Sequence, residues 1–265
     1  MSRNDQLLQV FYEAYRLGDD PLGMALAQYR TELNPELAKQ ASDGYIPAMQ
    51  HQDLSTAMAA ATIGSRIYNF IGLREEAFNA LIDSFSVLYM RAETVDAYAD
   101  IYTAIRDVMA GNPYGEGSPL TGLRALNLAA DCGFFASEAT ADTKVKKFWL
   151  QAALASLTDG TQYLGASTAE LIPGYTSTAV AVYRRCVGNG WVGEPWAAAP
   201  LTAVTAKLDS AVPSKVNYSG DDAKTANIDA ARTEMSGVFN HSAYVGGETP
   251  AASPLSGLFG HKTGG

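Results

Sequence analysis

Two cysteines, Cys132 and Cys186, stand in surroundings that thiol chemistry would use. Cys132 follows Asp131 and precedes Gly133-Phe134-Phe135, while Cys186 follows Tyr183-Arg184-Arg185 and precedes a glycine turn carrying Trp191. A thiol can add to a vinyl group, a carboxylate can accept pyrrole N–H bonds, arginines can pair with propionates, and aromatic rings can stack. Together these residue types meet the needs of a linear tetrapyrrole held by a thioether. Arg184 and Arg185 would also favour the thiolate that a cysteine nucleophile requires, although no histidine lies near Cys186 in the sequence. The plainer reading is a pair of buried thiols, because free cysteine packs as a small hydrophobe.

The other chemical patterns are weaker. Gly188-Asn189-Gly190-Trp191-Val192-Gly193 fits the GxGxxG spacing of dinucleotide sites. That motif needs a strand before it and a helix opening after it, whereas here a helical segment precedes the glycines and Glu194-Pro195 follows. A helix-ending loop is expected instead. His51, His241 and His261 are far apart, and with 2 cysteines in the chain no four-ligand metal site can be drawn from spacing. His51 and Asp53 read as loop and cap. No nucleophile-elbow sequence marks a serine. Glu75-Glu76, Asp96, Asp100 and Asp107 follow the outer faces of helices. Lys144, Lys146 and Lys147 beside Phe148-Trp149 read as helix surface or as a contact patch for an acidic partner.

The elements that must position these residues are helices. Asp20-Pro21 and Asn34-Pro35 each place a capping side chain before a proline at a first helical position. An earlier helix carries Leu7, Leu8, Val10, Phe11, Tyr12 and Tyr15 and runs to Gly18, and Leu22, Met24, Ala25, Leu26 and Tyr29 supply the apolar positions of the next. From Asp53 to Arg91, apolar residues recur at three- and four-residue intervals with a break at Gly72, which gives two helices or one kinked one. Glu93 to Met109 forms another helix, stopped by Gly111-Asn112-Pro113. Leu120 to Ala136, Thr143 to Leu157 and Tyr175 to Val187 form three more. The expected fold is all-α, with about nine or ten helices and a helical core over 1–195. Proline and glycine then break residues 196–265 into an irregular arm, in which only 221–239 reads as a helix.

An internal echo accompanies this pattern. Ile105 to Glu116 aligns with Tyr183 to Glu194, and each stretch is followed by Pro-Leu-Thr, at Pro119 and at Pro200. A twofold repeat with units at about 60–120 and 140–202 is the corresponding expectation, and chance similarity of two glycine turns is the alternative.

The chain has 265 residues, of which 47% are hydrophobic and 18% charged, enough to build a core and too apolar for an unfolded chain. No apolar run reaches the roughly 18 residues of a membrane span. The opening residues lead into an amphipathic segment rather than an apolar signal core, so a soluble protein is expected. A formal charge of -9 would repel phosphate backbones, which argues against nucleic acid as a partner.

At Asp131-Cys132 and Arg184-Arg185-Cys186, with the helical build and the repeat, the chain resembles the chromophore-carrying linkers or gamma-type subunits of phycobilisomes. The resemblance implies a non-enzymatic light-harvesting linker threaded through rings of phycobiliproteins, in the cell interior or at the thylakoid surface of a plastid. It implies covalent bilins on Cys132 and Cys186, Asp131 as a pyrrole contact, Arg184 and Arg185 as propionate partners, and no metal. The 14 Tyr, 9 Phe and 3 Trp would anchor protein interfaces. Two alternatives stand beside it: a self-assembling coat or scaffold protein without pigment, and a cysteine-dependent enzyme using Cys186.

Overall fold

A computed structural model describes residues 1–111 and 118–211. Among these, every regular element is a helix: eleven α-helices and three short 3-10 turns. The expected helix over 221–239, and the part of the expected arm beyond residue 211, lie outside the described residues. The described residues divide into two compact units, one made of 1–91 with 110–111 and 118–121, the other of 92–109 with 122–211.

The first unit holds α1 (Arg3–Leu17), α2 (Asp19–Gln28), α3 (Pro35–Asp43), α4 (Tyr45–Gln50), α5 (Leu54–Phe70) and α6 (Arg74–Arg91). Asn34 caps α3 as its spacing predicts, with its side-chain oxygen accepting from the Leu37 N–H at 2.9 Å. The entry to α2 differs from expectation. Gly18, at φ 122, precedes a helix that starts at Asp19, so Asp20 lies in the first turn rather than at the cap. Pro21 is tolerated there because first-turn N–H groups have no helical partner in any case. Met24, expected among the apolar positions of this helix, is 74% exposed, whereas Leu22 and Leu26 are buried and Ala25 and Tyr29 pack against the same core.

The long stretch after Asp53 is two antiparallel helices. The Ser65 hydroxyl donates to the Ala77 carbonyl at 2.8 Å, and Arg91 reaches Ser55 at 3.3 Å. The turn between them is a Schellman motif: Gly72 has φ 81, the Leu73 N–H donates to Tyr68 O, and the Gly72 N–H donates to Asn69 O. Gly64 lets α5 approach α3, since a Cβ there would stand 2.0 Å from Ser42 Oγ.

The second unit takes in most of α7 (Val95–Gly111) and α8 (Pro119–Glu138), with α9 (Thr143–Gly160), α10 (Ile172–Gly188) and α11 (Pro195–Ala211). Its core joins Leu123, Leu150, Leu154, Leu157, Tyr175 and Val182 with side chains of α11. That last helix corrects the expectation that the core ends near Pro195. Ala197, Leu201, Val204 and Leu208 are buried at helical spacing in the same core. Pro195 is the first helical residue, where its missing N–H costs nothing, and Pro200 lies inside the helix. Burial of one apolar face outweighs the hydrogen bond that Pro200 removes.

Candidate functional site

The five residues singled out for chemistry lie on two helices. Asp131 and Cys132 are on α8, and Arg184, Arg185 and Cys186 are on α10. Two polar contacts fix how these helices run. The Thr178 hydroxyl donates to Asp131 Oδ1 at 2.8 Å, and Arg185 pairs with Glu138. Both contacts join residues 47 apart in the chain, so α8 and α10 run parallel in one register. Cys186 then lies about two turns beyond Cys132, about 10 Å along the common axis. This separation exceeds the span of a disulfide, and both cysteines are free thiols.

Helix α9 packs against α8 in the opposite direction, through contacts that only glycine permits. A Cβ on Gly133 would meet Ala153 N at 2.9 Å and Trp149 O at 3.0 Å, and one on Gly122 would meet the ring of Tyr163, just past the end of α9, at 2.8 Å. Gly133, which follows Cys132, therefore sets the depth at which α8 sits.

That depth governs the thiols. Cys132 and Cys186 are both 0% exposed. Burial pushes the Cys132 thiol well up, and the adjacent Asp131 adds to the shift. Burial pushes the Cys186 thiol up to about 12, with Glu194 contributing in the same direction. Arg184 and Arg185 do not lower it. Arg184 is exposed, and the Arg185 guanidinium is engaged by Glu138. A helix turns successive side chains by about 100°, so neighbours in sequence need not share a face.

Asp131 is also fully buried. Thr178 satisfies one of its oxygens, and among the described residues Oδ2 has no hydrogen-bond partner. Burial raises its carboxyl to about 7. The structure thus brings Asp131 together with Thr178, and it places the Arg185–Glu138 pair at a separate level of the same helix pair.

The glycine-rich stretch after α10 ends a helix, as its sequence context predicts. Gly190 has φ 72, the Trp191 N–H donates to Cys186 O at 2.8 Å, and the Gly190 N–H donates to Val187 O at 2.9 Å, a second Schellman motif. The turn delivers Glu194, whose carboxylate accepts from Lys147 at 2.5 Å and from the Trp196 indole at 2.7 Å. Those two bonds, Lys147 first, hold the Glu194 carboxyl below its ordinary range. Lys147 also lies over the Trp196 ring, 5.4 Å from its centre, and Trp191 meets Trp196 edge to face. One lysine of the basic cluster is thereby committed to structure.

Lys146 is half-buried, and Lys144 remains at the surface beside a ring. Phe148 is 59% exposed, packs edge-on against Trp149 at 5.1 Å, and has exposed Lys144 one turn before it on α9. Among the described residues no group of three or more His, Cys, Asp or Glu could hold a metal. No helix among them is long and apolar enough to cross a membrane. Comparison of the chain with known protein families, with curated proteins and with solved structures finds no match in any of the three.

Proposed function

We propose that the chain is a non-enzymatic structural protein of a larger assembly, and that it docks an acidic protein partner on the outer face of α9. The observation that carries this reading is Phe148, a large ring held outward on a rigid helix, braced by Trp149 and flanked by Lys144. An aromatic anchor with adjacent cations is a combination that fixes protein interfaces. The chain's net charge of -9 does not oppose it, because charges more than about 8 Å away are largely screened at physiological salt.

The pigmented form of this reading is a phycobilisome-type linker with bilins on Cys132 and Cys186. It requires both thiols to leave the core, and their burial favours an assembly protein without pigment. The raised Cys186 thiol likewise opposes the low pKa that a cysteine-dependent enzyme needs.

The test is the size of the particle that contains the chain in its native source, measured by size exclusion with light scattering. The unaltered chain is expected in a large particle. A chain carrying Phe148→Ser with Lys144→Glu is expected as a free species with unchanged helical circular dichroism. An unaltered chain that elutes alone overturns the proposal. Zinc-enhanced fluorescence on a denaturing gel decides the pigment, since a covalent bilin glows and a colourless band removes it.

A further inference from the structure

The seam between α8 and α10 is held in register by two polar ties of different kinds. The Arg185–Glu138 pair is partly open to solvent. The Asp131–Thr178 contact is closed from it, both residues being 0% exposed. Thr178 has one proton to give, and the Gly174 carbonyl at 3.1 Å competes with Asp131 Oδ1 at 2.8 Å for it. Among the described residues Asp131 Oδ2 has no partner, and one turn earlier on α8 the buried Asn127 Oδ1 has none either. A buried carboxylate needs two or three donors or an opposite charge to stay ionised, and this one has a single contested donor.

Among the described residues no opposite charge offsets this, and the Asp131 carboxyl responds to burial first and to the Thr178 bond second. Beside Asp131 on its own helix stands the Cys132 thiol, which burial keeps protonated. From α7 comes the phenol of Tyr98, near enough to Cys132 to be raised by it and itself raised mainly by burial. From α10 come Thr178 and, a turn earlier, Tyr175, whose hydroxyl donates to Leu157 O. The cation Arg185 sits two turns further along with Glu138, and Arg184 is exposed. On α9, Asp159 is paired with Arg106 at 2.7 Å and Lys147 with Glu194.

We propose that Asp131 is a proton-operated latch in the α8–α10 seam: the neutral carboxyl lets the two helices close on each other, and loss of its proton loosens them. Burial places that transition at about 7, within the range where modest changes of pH act. The folded chain holds the proton up to about 7, while the unfolded chain releases it near about 4. Stability from this group is therefore complete below about pH 4, declines as pH rises toward 7, and is flat above.

The experiment is urea unfolding from about pH 4 to 8 of the full chain and of Asp131→Asn, which keeps the shape and cannot ionise. The ratio of the two unfolding constants, unaltered chain over variant, is expected to rise about tenfold per pH unit between about 5 and 7 and then level off. A ratio that stays constant across this range overturns the proposal. Should the variant fail to fold, carbon NMR of aspartate carboxyls in the unaltered chain gives the answer. The resonance that moves in Thr178→Val is expected to titrate near 7 and to shift upward in that variant, which has lost the one bond favouring the charged form. Titration of every carboxyl below about 5 overturns it. Amide exchange in α8 and α10 at about pH 8 is expected to be at least about tenfold faster in the unaltered chain than in Asp131→Asn, and equal rates overturn the loosening.

Discussion

Gln52 follows α4 at φ 57, a left-handed conformation that side chains resist. It closes a third Schellman turn, in which the Asp53 N–H donates to Ala48 O at 2.9 Å and the Gln52 N–H to Met49 O at 3.1 Å. Gly72 and Gly190 occupy the same position in the other two turns. Gln52→Gly is therefore expected to stabilise the chain by about 1 kcal/mol, read from the urea midpoint at constant slope. Gly190→Ala is expected to do the reverse by a similar amount. The cysteines give a second residue-scale prediction. At about pH 6, neither Cys132 nor Cys186 should react with iodoacetamide in the folded chain, and both should react in denaturant. Rapid labelling of Cys186 before unfolding would restore the cysteine-enzyme reading.

Helix packing at the scale of elements depends on small residues that keep backbones close. Gly133 faces backbone atoms of α9 rather than flexible side-chain ends. Gly133→Ala must push α8 and α9 apart, at an expected cost of about 1–3 kcal/mol in urea unfolding. Most helix limits were legible because their signals are local. Asn34-Pro35, Asp53 and Gly188-Asn189-Gly190 start or stop helices through bonds within a few residues. The short α4 was not legible, because Pro47 sits inside it and six residues show little periodicity.

Over the molecule as a whole, α11 is where a local rule misleads. Two prolines and a run of alanines read as the start of an arm, yet Ala197, Leu201, Val204 and Leu208 fall on one stripe and complete the second unit's core. Leu201→Ala is expected to cost about 2–5 kcal/mol. It should also raise amide exchange throughout α9 and α10, which a residue on an unpacked arm would not do.

Residue order alone determined that the chain is helical, where most helices begin and end, and that the glycine run after α10 is a turn rather than a phosphate cradle. Those features rest on contacts within one or two helical turns. The state of Asp131, Cys132 and Cys186 was decided only by tertiary structure. Whether an acid or a thiol faces water depends on which helices close over it, and the parallel register of α8 with α10 joins residues 47 positions apart. The arginines beside Cys186 in sequence turn away from it because a helix points adjacent side chains in different directions. Solvent exclusion by distant segments, rather than the neighbouring residue types, sets the chemistry of those groups.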